Sequence, residues 1–395
     1  MLKEDLVDYD PETGRMNSTP RQVFLEVSSR CNLTCVHCPT DFGRDDGHPK
    51  LDLPLEAIDK LSPWLRAATF VNLNFVGEPM LSPHFGELLR RCGEGPAQVS
   101  FNTNGLLLSA RNCAAILDAR VHGVGISIDG THSMPAIRGV PYEAVRDRVI
   151  ALAKAKQERG SELPHLSLAF VLMRRNAYEL PKLLRDILPR VHFHAVHVQP
   201  LVVIYETLRE ENVYRDEFAA DAVAEAREIA QAHGTEFIVF RSTSEQDERN
   251  KGGTNNGTAQ LGQVSPTYGC VDPFYEIKIR STGEIMACSY GREVPVKLQD
   301  LELDEIWNHP WYRRLRQDLY AKRFLDKCTQ CPFLFGCADN QEDPLVAGRR
   351  HSREERFFRG GYRRRRPPTS APPVAFTGRS ETSGDDLGAG RESGS

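Results

Sequence analysis

Between residues 21 and 205, short β-rich runs alternate with longer amphipathic stretches, and no other feature of the chain restricts its fold as much. The β-rich runs are 22–29 (QVFLEVSS), 69–77 (TFVNLNFVG), 98–105 (QVSFNTNG), 123–130 (GVGISIDG), 165–173 (HLSLAFVLM) and 195–201 (AVHVQPL). Helices are expected around 54–66, 83–92, 109–118, 141–158 and 176–188. Strands separated by helices return to one sheet through right-handed crossovers and run parallel. Six such units predict an α/β fold, a partial (β/α)6 barrel over 21–205, with chemistry at the C-terminal ends of the strands. Polar and sulfur-bearing residues gather at those ends: Cys31, Cys35 and Cys38 after the first run, Gly77, Glu78 and Pro79 after the second, Asn104 after the third, Ser127 and Asp129 at the fourth.

The ten cysteines sharpen this picture. Residues 1–14 are acidic and carry no apolar core of a secretory signal, and no apolar run approaches the length of a membrane span, so a cytoplasmic protein without membrane attachment is expected. A reducing compartment disfavours disulfides, so clustered thiols point to metal or iron–sulfur ligation. Lys and Arg number 50 against 54 Asp and Glu, a balance that gives no reason to expect nucleic acid as partner. Cys92 and Cys113 lie on expected helices among apolar neighbours, where core packing accounts for them.

In CNLTCVHC, gaps of three and two residues separate Cys31, Cys35 and Cys38 in the loop leaving the first strand. A four-iron cubane ordinarily takes four thiolates. Three in one loop leave one iron without a protein ligand, the open position that a catalytic metal centre needs. The alternative is a zinc site completed by His37 or a distant residue, although zinc knuckles usually pair short motifs.

With these residues in place the chain resembles the radical SAM superfamily. The resemblance rests on the three-cysteine motif after the first strand, on Val76-Gly77-Glu78-Pro79, similar to a GGEP motif, and on Ser127-Ile128-Asp129-Gly130 at the end of the fourth strand. It implies a [4Fe–4S] cluster on Cys31, Cys35 and Cys38, with S-adenosylmethionine as cofactor. It further implies contacts to that cofactor from Gly77, Glu78, Pro79, Ser127 and Asp129, and from His37 where the family places an aromatic residue near the adenine. Reductive cleavage would then give a 5′-deoxyadenosyl radical that takes a hydrogen atom from substrate. A flavodoxin- or ferredoxin-type reductant is implied as partner. Asn104, Arg138 and Gln199 stand near strand ends or crossovers and are equally explained as contacts to S-adenosylmethionine or substrate or as groups that cap a helix or satisfy a loop, and Asn176 as a helix N-cap.

Residues 206–268 are expected to hold a helix at 214–233, a strand at 235–240 and a polar Gly/Asn-rich linker. The runs FYEIKIR and EIMACSY flank Ser281-Thr282-Gly283, a hairpin signal. Around it, Cys270 is followed after twelve residues by Gly283 and after four more by Cys288, and Cys328, Cys331 and Cys337 come later. This spacing resembles SPASM and twitch domains and implies, over 269–345, a small cysteine-rich domain with one auxiliary [4Fe–4S] cluster on Cys270, Cys288, Cys328 and Cys331. Cys337 is left as a buried thiol, an exchanged ligand or a hydrogen-atom donor, and a zinc ribbon is the alternative for the group. Residues 346–395, Arg-rich and then Ser/Gly/Pro-rich, are expected to be disordered.

The leading functional expectation is oxidation of a small hydroxylated substrate, such as a sugar or aminocyclitol, helped by the auxiliary cluster. Modification of a ribosomally made peptide is the second, weakened because such enzymes often carry an N-terminal peptide-binding domain and about twenty residues precede the first strand here. Epimerisation with Cys337 as hydrogen donor is a third. A non-catalytic iron–sulfur or zinc protein is the alternative from another class.

Overall fold

The computed structural model describes residues 8–38, 50–201, 205–213, 216–239, 270, 272–288, 293–321 and 323. The six expected strands are present as β1 (Gln22–Leu25), β2 (Phe70–Asn72), β3 (Gln98–Thr103), β4 (Gly123–Ser127), β5 (His165–Leu172) and β6 (Ala195–Pro200). The crossovers carry α1 (Leu55–Ala67), α2 (Phe85–Cys92), α3 (Ala110–Asp118), α4 (Met134–Arg138), α5 (Tyr142–Glu158) and α6 (Leu180–Ile187). Every neighbouring pair from β1 to β6 is parallel.

The sheet continues past both expected limits. The strand after α7 (Glu217–Ala232) is β7 (Glu236–Val239), which pairs parallel with β6, so the core does not stop near residue 205. The hairpin expected around Ser281–Gly283 forms as β8 (Glu276–Ile279) and β9 (Glu284–Met286), behind the short α8 (Asp272–Tyr275). It is not a separate layer, because β8 pairs parallel with the free edge of β1 from Gln22↔Glu276 to Leu25↔Ile279. With β10 (Glu293–Lys297) these strands complete one ten-stranded sheet in the order β10-β9-β8-β1-β2-β3-β4-β5-β6-β7. Neither β10 nor the following α9 (Leu303–Trp307) and α10 (Pro310–Tyr320) was expected from the sequence, since their patterns are short and rich in charge.

The two faces of the sheet differ. Val23, Val71, Val99, Val124, Leu168 and Val196 face the helices, each at most 4% exposed. A parallel sheet covered by helices on both sides reads as continuous apolar runs. Here the alternation along β5, with His165, Ser167, Ala169 and Val171 half-buried and their neighbours buried, shows that one face carries less cover than the other among the described residues. Register places Asn102, Gly125 and Ser167 side by side on that open face, as it does Ala169 and His197. Cys92 and Cys113 lie in the helix-side core as expected, and burial pushes the Cys92 thiol up to about 12.

Residues 8–18 pack on the last helices. Met16 N–H donates to Asn308 Oδ1 at 2.9 Å, Asn308 Nδ2 returns a bond to Met16 O at 3.1 Å, and Trp307 Nε1 donates to Ser18 O at 2.9 Å. No helix among the described residues is long and apolar enough to cross a membrane.

Candidate active site

The cysteine loop is held from five directions. Glu78 N–H donates to Arg30 O at 2.8 Å and Val36 N–H to Ile137 O at 3.0 Å. Arg30 spans to Asp52 and to Leu81 O, Asn104 Nδ2 reaches Asn32 Oδ1 at 2.8 Å, and Tyr205 Oη donates to Cys38 O at 2.9 Å. Loop backbone groups buried without such partners would be costly, so this density of bonds fixes the loop on the sheet edge. Cys35 is buried, Cys31 and Cys38 partly so. Burial pushes the Cys35 thiol up to about 11, and the nearby Cys38 and Cys31 act in the same direction.

Gly77 is required where it stands. Its φ is +78°, and a Cβ there would run into the carbonyl oxygens of Ser28 and Arg30. The GEP backbone thereby lies directly on the cysteine loop. Glu78, 2% exposed, turns its carboxylate inward: Asn104 N–H and Thr103 Oγ1 each donate to it at 2.9 Å. The carboxylate and the side chain of Asn104, whose Oδ1 also accepts from Leu106 N–H, are thus used in joining β1, β2 and β3 loops. Pro79 is buried behind them.

Burial raises the Glu78 carboxyl from 4.5 to about 7, against the lowering effect of its hydrogen bonds. A carboxyl raised in the folded state adds stability that is full below its ordinary range and is lost as pH rises through the folded value. Across the window from 4.5 to about 7 the change is about 3 kcal/mol. Glu78→Gln keeps an acceptor without the charge. Its denaturation midpoint should therefore decline less steeply between pH 5 and 7 than the parent's, to which the raised Glu26 and Glu276 also contribute, and an equal slope in both proteins would contradict this origin.

Asp129 is fully buried and both its oxygens are engaged: Oδ1 accepts from Val171 N–H at 2.7 Å, Oδ2 from Arg138 Nε at 2.6 Å. His37 Nε2 lies 3.6 Å from the same Oδ2. Its Nδ1 is buried without a hydrogen-bond partner among the described residues, and burial holds the imidazole pKa below its ordinary value. Asn176, expected as an N-cap, makes no capping bond. Its amide instead donates to Asp129 O and Val171 O at 2.9 Å, tying the ends of β4 and β5 together. Glu179, which sequence reasoning missed, accepts from the backbone N–H groups of Thr131, His132 and Ser133 and fixes the turn after Asp129. Only an isolated Glu four dozen residues downstream marked it, and no local pattern singles it out. Ser127 and Gln199 are half-buried on the open face, Gln199 Nε2 donating to Pro200 O at 3.1 Å.

Cys270 and Cys288 lie away from this edge. β8 runs parallel to β1, so its turn shares the edge of the cysteine loop, where Ser281 Oγ donates to the buried Glu26 at 2.7 Å. Cys270 before β8 and Cys288 after β9 therefore fall at the opposite edge, with Tyr312 electrostatically near Cys288. Cys328, Cys331 and Cys337 lie outside the described residues, as does the Arg-rich stretch of the tail.

The donor set fits a cubane. Three thiols of one loop stand close enough to interact electrostatically. A cubane presents a separate iron to each thiolate.

Comparison with known proteins agrees. Residues 25–187 match the Radical SAM superfamily, and residues 270–332 match SPASM, an iron–sulfur cluster-binding domain. The chain is a radical SAM enzyme with a C-terminal SPASM domain, and it requires a [4Fe–4S] cluster and S-adenosylmethionine together with auxiliary iron–sulfur ligation. Among its relatives is the tungsten-containing aldehyde ferredoxin oxidoreductase cofactor-modifying protein of Pyrococcus furiosus, 23% identical over 331 residues, which are 80% of this chain and 88% of that protein. The AdoMet-dependent heme synthase of Methanosarcina barkeri is 23% identical over 359 residues, 87% and 97% of the two chains. In fold, Streptococcus suis SuiB bound to S-adenosylmethionine superposes with a TM-score of 0.57 at 17% identity, covering 82% of this chain and 73% of that one.

Proposed function

We propose that this enzyme oxidises a small, polar, hydroxylated substrate, of the sugar or aminocyclitol type, held against the open face of the sheet. The observation that supports this reading is the polarity of that face: Asn72, Asn102, Ser167, His197 and Gln199 occupy positions whose counterparts on the helix side are apolar. Amide, hydroxyl and imidazole groups arrayed across neighbouring strands match alternating donors and acceptors on a polyol. When bound, the cluster and S-adenosylmethionine supply the 5′-deoxyadenosyl radical that removes a hydrogen atom.

The chain's own part is placement. Cys31, Cys35 and Cys38 hold the cluster, the Gly77 backbone and His37 receive the cofactor, and the open face orients the substrate C–H. Cys270, Cys288, Cys328 and Cys331 hold one auxiliary [4Fe–4S] cluster with Cys337 to spare, and a flavodoxin- or ferredoxin-type protein delivers the electron.

A second reading, modification of a peptide or of a larger cofactor, is favoured by the names of the relatives and by the SuiB complex with its precursor peptide SuiA. The two are separated by anaerobic turnover of the reduced, reconstituted enzyme with S-adenosylmethionine and a panel of aminocyclitols, tetrapyrroles and peptides. A product two hydrogens lighter than a polyol, with 5′-deoxyadenosine formed in equal amount, is the expected result. Coupled turnover on peptide or tetrapyrrole alone would overturn the polyol assignment.

A further inference from the structure

We propose that Arg138, held by Asp129, is a positioning residue that donates an N–H···S hydrogen bond to the Cys35 thiolate and sets the reduction potential of the loop cluster; this rests on the reading of Cys31, Cys35 and Cys38 as cluster ligands. Sequence alone offered Arg138 equally as a cofactor or substrate contact and as a helix cap or loop contact. The structure encloses it instead: it is 8% exposed, its Nε is bonded to Asp129, and its Nη1 stands 3.8 Å from Cys35 Sγ, within range for a sulfur acceptor.

The guanidinium has little room to turn. Arg138 is the last residue of α4, and Gly139 at φ +78° ends the helix immediately after it. Asp129 is immobilised in turn by Val171 N–H and by the Asn176 amide on its own carbonyl. The bond from Val36 N–H to Ile137 O ties the cysteine loop to α4 beside it. A planar fork with two uses, one for the carboxylate and one for the sulfur, is a property of arginine that lysine lacks. Hydrogen bonds to cluster sulfurs and local charge are among the levers that set iron–sulfur potentials. A cation donating to a ligand sulfur stabilises the reduced, more negative cluster more than the oxidised one, so losing it lowers the potential. Asp129 and Arg138 are then joined as one device, and the carboxylate acts on the cluster through the guanidinium rather than by contact with S-adenosylmethionine.

The test is an EPR-monitored redox titration of the full-length, anaerobically reconstituted enzyme, following the signal that changes when S-adenosylmethionine is added. That response marks the loop cluster and separates it from the auxiliary one. Arg138→Gln should retain its iron while the reduced-to-oxidised ratio at fixed potential falls about tenfold, or about 59 mV for a one-electron couple. Arg138→Lys should fall by less. Full iron content with an unchanged midpoint in either variant overturns the proposal. Should a variant lose iron, wild-type enzyme decides: the reduced cluster should show a deuterium-exchangeable proton coupling by pulsed EPR, and its absence overturns the bond to sulfur. A wild-type enzyme without any signal responsive to S-adenosylmethionine refutes the cluster assignment itself, a different failure with a different signature.

Discussion

Simultaneous replacement of Cys31, Cys35 and Cys38 by alanine is expected to abolish 5′-deoxyadenosine formation while about four of about eight irons remain on the chain. On the proposed ligand set the remaining iron follows from topology, because Cys270 and Cys288 lie at the edge of the sheet opposite the loop. The fold should persist as well. The loop is pinned through Arg30, Asn32 and Val36, whose bonds do not involve the thiols. Iron analysis and chromatographic assay of the nucleoside check both halves. Residual cleavage above a small background, or loss of all iron, would contradict the division into two independent sites.

Gly77→Ala should be the most damaging single methyl group in the described structure, lowering stability by about 3 kcal/mol or more and emptying the loop of iron. The obstructing atoms are backbone carbonyls of Ser28 and Arg30, in the segment that leads from β1 into the cysteine loop, so the added methyl displaces that segment. Gly139 provides the control. It has the same φ of +78°, yet a Cβ there meets nothing within 4 Å. Gly139→Ala therefore carries only the left-handed strain, about 1 kcal/mol. Thermal unfolding of the two variants separates steric from conformational cost, and equal shifts would show that the close approach at Gly77 contributes nothing.

The parts of the site that were legible in the sequence are those encoded within a few residues. CNLTCVHC, Gly77-Glu78-Pro79 and the run to Gly130 each stand at a strand end, and the strands are marked by β-branched and aromatic alternation. What was illegible is what depends on distant partners. Nothing local reveals that Ser281 closes on Glu26, that Asn176 serves Asp129 and Val171 rather than its own helix, or that Glu179 holds the turn beyond Gly130. A side-chain acceptor satisfies whichever donor folding brings near it, and that is a tertiary property. The hairpin was visible as a hairpin, but its parallel docking on β1 was not, because four apolar-alternating residues specify a strand and not its neighbour.

That docking bears on how the protein is made. β1 gains β2 soon after its own synthesis, whereas its other edge waits for residue 276 to leave the ribosome. Until then the nascent chain exposes an unpaired strand edge directly below the three thiols, a state prone to unwanted strand addition. The helices that lock residues 8–18 in place come later still, at 303–320. Loading of the first cluster therefore precedes closure of the sheet only if the assembly machinery reaches the chain co-translationally; otherwise metal insertion must await a nearly finished polypeptide, and protection of the early edge falls to chaperones.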